Sequence, residues 1–367
     1  MKFISYGRQT IEEDDIQAVA EVLRSECLTR GPMTENFEEA FADYVGAKYA
    51  IAVNSGTAAL HLALKALHLK PGAEVITTAN TFAATSNAIL YNHAVPVFAD
   101  IDTDDYNIGP YTVEAKITEK TGAILPVHFA GNPCSMRSLT RISEKYNIPI
   151  VEDACHALSA DMGEVRIGGT GNLTCFSFHP VKHITTGEGG MITTNDLCIA
   201  NNLLAYRNHG RVGVDQEYLG FNYRMSDIGA ALGLSQLAKA NRFKAARQRI
   251  ASRYTEALSG FPWLKVPSHS TSHSWHLYVI VLMRGDRDAL KKYLEAKGIL
   301  TQIHYKPVTE HPFYQRYGYK LNDLPVTKWY SERCISLPIY PTLTEDEQSY
   351  VIDNVRGGLY EISGVKI

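Results

Sequence analysis

The stretch YAIAVNSGTAALHLALKAL, residues 49–67, decides the architecture. YAIAV (49–53) is apolar at every position, Asn54-Ser55-Gly56-Thr57 is turn and cap chemistry, and TAALHLALKAL (57–67) reads as a helix. A strand with no polar face is buried on both sides, as in a sheet covered by helices. The pattern recurs outward from there. Strands are predicted at EVITT (74–78), VPVFAD (95–100), AILPVHF (123–129), IPIVED (148–153), LTCFSF (173–178) and GMITT (190–194). Helices are predicted between them at 81–92, 111–120 and 136–147. This alternation predicts an α/β fold with a mostly parallel seven-stranded sheet, right-handed crossovers, and a ligand site at the carboxyl ends of the strands.

Beyond about residue 226 the pattern changes. SDIGAALGLSQLAKANRFKAARQRIASRYTEAL reads as one long helix bent near Asn241. Strands are expected at SWHLYVIVL (274–282) and LTQIHY (300–305), and helices at DRDALKKYLEAKG (286–298), VTKWYSERCISL and TEDEQSYVIDNVRGGL. The expected division is a large domain over 1–235, including an N-terminal arm, and a smaller C-terminal α/β domain over 236–367.

The 367 residues are 45% hydrophobic and 20% charged, with a formal net charge of −3. That balance argues against nucleic acid or a membrane surface as partner. No apolar run approaches a membrane span, and MKFISYGRQT lacks the apolar core of a signal peptide. Cysteines 27, 134, 155, 175, 198 and 334 are scattered without a CxxC pair, so reduced thiols in a cytoplasmic protein are expected. No metal site is expected. Asp100, Asp102, Asp104 and Asp105 lack the spacing of a calcium loop and read as a solvated acidic turn.

Four features carry chemistry. Ser55, Gly56 and Thr57 open a helix whose free N–H groups suit a phosphate, although an ordinary Ser/Thr cap reads the same way. IPIVEDACHAL ends a buried strand in Glu152-Asp153, followed by His156. A carboxylate there needs a cationic partner, such as a protonated ring nitrogen braced by His156, or else it caps the next helix on the surface. Phe82 is either a stacking platform for a flat ring or a core residue. FSFHPVKHITTGEGG (176–190) sets Ser177 five residues before Lys182, in a loop with Gly187, Gly189 and Gly190. A lysine at the sheet's mouth, partly desolvated, has a lowered pKa and becomes a nucleophile toward a carbonyl; a solvated surface lysine is the alternative. Phosphate cradle, buried aspartate, aromatic platform and reactive lysine together describe a site for pyridoxal 5′-phosphate.

The chain resembles the DegT/DnrJ/EryC1/StrS sugar aminotransferases, fold-type-I pyridoxal phosphate enzymes, from YGRQTIEEDDIQAVAEVL to SLPIYPTLTEDEQ. LTRGPMTENFE, NSGTAALHLAL, VEDACHALSA, FSFHPVKHITTGEGG, GFNYRMSDIGAALGLSQL and IHYKPV carry the likeness most specifically. The resemblance implies that Lys182 is the Schiff-base lysine, Asp153 the partner of the pyridine nitrogen and His156 its support. Ser55, Gly56, Thr57 and Ser177 would hold the phosphate, with Phe82 stacking on the ring. It implies a homodimer in which Asn222 of GFNYR reaches the neighbouring subunit's cofactor phosphate. Thr29, Arg30, Glu188, His304 and Tyr305 are candidate substrate contacts. VHFAGNPCSM and IHYKPVTEHPFYQRYGY are most similar to the branch serving pseudaminic acid synthesis. Departures from that branch fall at Asn132, Ser135 and ADMGEVRIGG (160–169).

The reaction so implied moves an amino group from L-glutamate to C4 of a UDP-linked 4-keto-6-deoxy sugar, with pyridoxamine phosphate as the cofactor's half-way form. Lys182 would serve as anchor and as general acid/base. Transfer to a dTDP- or GDP-linked sugar, or to C3, is the alternative. The 3-dehydratases of the same fold have histidine at the anchor, whereas FSFHPVK puts lysine there. A catalytically silent regulatory homologue should have lost Lys182 or Asp153, and both are present. No GxGxxG follows the first strand, which argues against a nicotinamide enzyme.

Overall fold

A computed structural model describes residues 3–268 and 270–363. Seven strands form the central layer. Tyr49–Val53, Gly190–Thr194, Leu173–Ser177 and Val151–Asp153 lie side by side in that order. Thr121–Leu125, Glu74–Thr78 and Val95–Ala99 continue beyond them. Parallel bridges Ile124 to Ile150 and Val127 to Asp153 join the two groups, with Asp153 N–H donating to the Pro126 carbonyl at 2.9 Å. Only Gly190–Thr194 runs against its neighbours. The reason is the connection: the twelve residues from Phe178 to Gly189 contain no helix, and a parallel return needs a longer crossover.

Helices cover both faces, as the all-apolar strands require. Gly56–Ala66 buries Leu60, Leu62 and Leu64 against Val53, Val75 and Ile192. On the opposite face Phe37 and Phe41 of the helix Pro32–Val45 pack against Phe176 and Phe178. The T-shaped contact of Phe41 with Phe176 has its centroids 5.1 Å apart.

A second, three-stranded sheet of Leu264–Lys265, Tyr278–Leu282 and Cys334–Leu337 lies further along the chain. The helices Ala240–Leu258, Arg287–Ala296 and Glu345–Ser363 build its core with Tyr254, Leu290, Val351 and Val355. The N-terminal segment docks here: Ile4 N–H donates to Gly298 O, Leu300 N–H donates to Ile4 O, and Ile339 N–H donates to Tyr6 O.

Four expectations change. The single bent helix is two, Asp227–Leu237 and Ala240–Leu258, broken at Ala238-Lys239 rather than Asn241. Lys239 sits at the break, its ammonium 2.7 Å from the buried Asp15 carboxylate and 2.6 Å from Asp14. LTQIHY forms no strand; it meets the sheet through the bridge from Gln302 to Ser336, while His304 and Tyr305 face a cavity. VTKWYSERCISL is a helix, Pro325–Ser331, followed by the strand Cys334–Leu337. Asp100 is not a solvated residue of an acidic turn. It is buried and accepts the N–H groups of Val326 (2.8 Å) and Thr327 (2.9 Å), tying the strand Val95–Ala99 to that helix's first turn. Among the described residues, no group of His, Cys, Asp or Glu is placed to hold a metal, and no helix is long and apolar enough to cross a membrane.

Candidate active site

At the carboxyl ends of the parallel strands lies a cavity of about 670 Å³. Asp153, the last residue of its strand, is 4% exposed, and its carboxylate is fixed from two sides. Thr85 Oγ1 donates to Oδ2 at 2.7 Å and Cys155 N–H donates to Oδ1 at 3.1 Å. The preceding Glu152 points to the other face, where His128 Nε2 (2.8 Å), Thr170 Oγ1 (2.7 Å) and Asn172 Nδ2 (2.7 Å) surround it. Alternation along the strand thus gives one carboxylate to the structure and one to the cavity.

Lys182 stands opposite. Its loop is closed by Phe178 N–H donating to Gly189 O at 2.9 Å and Lys182 N–H to His179 O at 2.8 Å. Loss of water lowers the ammonium's pKa, while Cys155 and Asp153 nearby act to raise it. Four histidines crowd the same end. Burial, with Lys182 close by, pushes His156, His183 and His276 well below the ordinary imidazole range and His304 to about 3. They are neutral near pH 7. Tyr305 OH and His156 Nε2 are 2.9 Å apart, and the His156 ring lies 4.4 Å from that of His276.

The third wall is the N-terminus of Gly56–Ala66. Ser55 caps it, its Oγ accepting Ala58 N–H at 3.1 Å. The cap reading of Ser55 is therefore fulfilled, while the Gly56 and Thr57 backbones face the cavity beside Ser177. A Cβ on Gly56 would sit 2.7 Å from Ser177 Cβ, and one on Gly190 would sit 2.5 Å from the Ser55 carbonyl. Glycine at both positions lets strand, loop and helix end meet closely enough to enclose an anion of phosphate size. Phe82 is not core: it is 64% exposed and forms part of the cavity wall.

The helix N-terminus, fixed carboxylate, desolvated lysine and exposed aromatic ring thus share one cavity, together with Glu188, His304 and Tyr305. Thr29, Arg30 and Asn222 lie elsewhere in the chain. Thr29 is exposed and bridges to Ser226, and Arg30 lines a separate cavity with Arg207 and Arg224. Asn222 is exposed and bridges to Asn208, its carbonyl accepting Asn54 Nδ2 at 3.2 Å. Sequence reasoning missed Thr85 and His276. A threonine in the first turn after Phe82 was the available signal for Thr85; nothing in SWHLYVIVL marks His276.

These features define a pyridoxal phosphate-dependent aminotransferase. Residues 9–356 match the model of the DegT/DnrJ/EryC1/StrS aminotransferase family, and the chain belongs to that family. It is 39% identical to the spore coat polysaccharide biosynthesis protein SpsC of Bacillus subtilis, over 96% of each chain. A sugar aminotransferase of Streptococcus pneumoniae, Spr1654, superposes with a TM-score of 0.95 at 30% identity over 98% of both chains. PseC of Helicobacter pylori, an aminotransferase of pseudaminic acid biosynthesis, does so with a TM-score of 0.93 at 32% identity, over 98% of this chain and 100% of its own. The protein is a pyridoxal phosphate-dependent sugar aminotransferase of the fold-type-I class.

Proposed function

We propose that this enzyme transfers the amino group of L-glutamate to C4 of a UDP-linked 4-keto-6-deoxy N-acetyl sugar, in a pathway of the pseudaminic acid type. The observation that carries the chemistry is the placement of Lys182 and Asp153 across one cavity from a helix N-terminus. The likeness to PseC across the whole chain supports the choice of sugar. The cofactor, when bound, supplies the carbonyl that receives the amino group and the ring that accepts electrons. Its phosphate would rest on Gly56, Thr57 and Ser177, and its ring nitrogen on Asp153, with Phe82 against the ring face.

Lys182 anchors the cofactor and, once displaced by substrate, is a free amine able to carry a proton at Nζ. It takes the α-proton of glutamate in the first half-reaction and delivers a proton to C4 of the sugar in the second. Its lowered pKa keeps more of the amine unprotonated at neutral pH than an ordinary lysine would have. Thr85 Oγ1 and Cys155 N–H hold the Asp153 carboxylate aimed. The bulk of His156, His276 and Tyr305 excludes water from the buried end. Asn222, exposed beside Asn54, acts in a homodimer on the partner's cofactor phosphate, and the enzyme works in the cytoplasm as a large domain (1–235) with a smaller one (236–367).

The test is an absorbance spectrum of the enzyme loaded with pyridoxal phosphate, before and after glutamate, for wild type and Lys182→Ala. Wild type should show the yellow band of lysine-bound cofactor and lose it with glutamate; Lys182→Ala should never show it. A band in Lys182→Ala would refute the anchor. A panel of UDP-, dTDP- and GDP-linked keto sugars then tests the acceptor. The 39% identity to SpsC favours, as a second reading, a keto sugar of another surface polysaccharide, and preference for a dTDP- or GDP-sugar would select it.

A further inference from the structure

Tyr6 and Tyr305 put two phenols on the cavity wall. Behind Tyr305 stands an imidazole, His156, whose Nε2 lies 2.9 Å from the Tyr305 hydroxyl oxygen. The Tyr305 ring is fixed on several sides. It stacks on His156 with centroids 6.0 Å apart and meets Phe129 and His304 edge-on at 6.3 and 4.8 Å. The chain before it is pinned by Ser336 Oγ, 2.8 Å from His304 Nδ1, and by Tyr330 OH donating to the His304 carbonyl at 2.8 Å. His156 is 4% exposed, and its Nδ1 is sealed from the cavity with no partner among the described residues. A neutral imidazole has one N–H and one lone pair, and a buried unpaired N–H is the rarer of the two. Nδ1 therefore carries the lone pair, and Nε2–H donates to the Tyr305 oxygen. The phenol's own proton is then free to point into the cavity.

We propose that Tyr305 carries protons to and from the carbonyl oxygen of the substrate, with His156 as the residue that positions it. Amino transfer needs such a group besides Lys182, which handles the proton on carbon. When an amine nitrogen bonds to the carbonyl carbon, the C=O electron pair moves onto oxygen, which takes a proton and becomes a hydroxyl. It takes a second proton as the C–O bond breaks and water leaves. The nitrogen gives up two protons as its double bond to carbon forms, so the sum balances. Tyr305 gives its proton to the oxygen and takes one from the nitrogen in return, at each of the two stages. The phenolate present in between is met by His156 Nε2–H. Burial, with Asp153 and Cys155 nearby, holds the phenol well above its ordinary range, so it starts each turnover protonated. The reverse sequence, with water entering, releases the keto acid in the other half-reaction, and the same hydroxyl serves both. The argument needs only a keto substrate and holds for whichever sugar is the acceptor.

The experiment follows enzyme loaded with pyridoxal phosphate and given glutamate in deuterium oxide, for wild type, Tyr305→Phe, His156→Leu and His156→Gln. Two rates are read: deuterium entering at the α-carbon of glutamate, which reports Lys182, and release of 2-oxoglutarate, which needs the chemistry at oxygen. The test rests on glutamate being the donor, which exchange by wild type itself checks. Tyr305→Phe should keep the yellow band of lysine-bound cofactor and exchange near the wild-type rate, while release falls about hundred-fold, the low end of what a general acid supplies. His156→Leu should slow release about ten-fold without slowing exchange, and His156→Gln, which keeps an N–H donor, should recover most of that loss. In loaded enzyme with isotope-labelled histidine nitrogens, His156 should show the Nε2–H tautomer. Equal slowing of exchange and release in Tyr305→Phe would overturn the proposal, by showing that the hydroxyl only holds the site's shape. So would release near the wild-type rate in that variant, or a proton on His156 Nδ1. His156→Leu leaves the phenol in place and decides the matter if Tyr305→Phe does not fold: exchange slowed as much as release would show that His156 serves the cofactor and not Tyr305.

Discussion

Thr85 is the sharpest probe of how the proposed site works, because its hydroxyl is committed to Asp153. Its hydroxyl donates to Asp153 Oδ2 at 2.7 Å and lies 2.7 Å from Thr81 Oγ1, all three side chains being buried. Thr85→Val keeps the shape and removes one of the two donors that hold the carboxylate. A hydrogen bond to a charged group is worth about 1.5–3 kcal/mol, and Asp153 is only 4% exposed, so an oxygen left unpaired there is costly. If the aimed carboxylate matters most in the transition state, that energy is lost there. kcat should fall about ten- to hundred-fold, since 1.4 kcal/mol is a factor of ten. The assay is the single-turnover half-reaction with glutamate, read beside urea unfolding, with Thr85→Ser as the variant that restores the hydroxyl. A Thr85→Val enzyme that loses stability but turns over within about two-fold of wild type would refute the reasoning, by showing that the contact serves only the fold.

Three further outcomes follow from the geometry. Gly56→Ala should weaken cofactor retention on dialysis with little loss of helix content, because the new methyl falls 2.7 Å from Ser177 Cβ inside the cradle; retention equal to wild type would remove the cradle argument. Burial holds His273 and His304 at about 3 and keeps His156, His183 and His276 well below their ordinary range. The unfolded chain therefore binds more protons below about pH 6.5, and native stability should drop from pH 7 to pH 5 by roughly 2 kcal/mol per histidine, read as a falling urea midpoint of the apoprotein. Equal midpoints at the two pH values would contradict neutral burial. Asp100→Ala strips the helix Pro325–Ser331 of both its N–H acceptors and should cost about 1–2 kcal/mol of stability, with the glutamate half-reaction of the surviving enzyme unaffected.

Tyr49–Val53, Glu74–Thr78 and Gly190–Thr194 were legible to the residue because apolar runs of strand length stop at Asn, Ala-Asn or Asn-Asp. Composition does not encode direction, so the reversal of Gly190–Thr194 is read only from the helix-free loop before it. Cys334–Leu337 was hidden because VTKWYSERCISL is amphipathic enough to pass as one helix, and tertiary pairing with Tyr278–Leu282 overrides that local preference. LTQIHY has strand-forming residues, yet His304 and Tyr305 are drawn to the cavity, and that demand comes from residues far away in the chain. Asp153 is conspicuous as a charge at the end of an apolar run, and Lys182 by its place in the loop of FSFHPVKHITTGEGG, and the structure sets both on one cavity. Thr85 was not legible, since a buried hydroxyl in a helix is ordinary until its partner is known.

The docking of the first residues beside the last sheet sets a timetable for making the enzyme. Ile4 is clasped between Gly298 and Leu300, and Tyr6, which pairs with Ile339, is part of the cavity wall. A ribosome adding about 5–20 residues per second needs on the order of half a minute between Ile4 and the segments around Gly298 and Ile339 that receive it. Through that interval the seven-stranded sheet can assemble while the opening segment waits without its partner. The catalytic cavity is thus among the last things the nascent chain completes, and a chain released early carries the reactive lysine in an unfinished pocket.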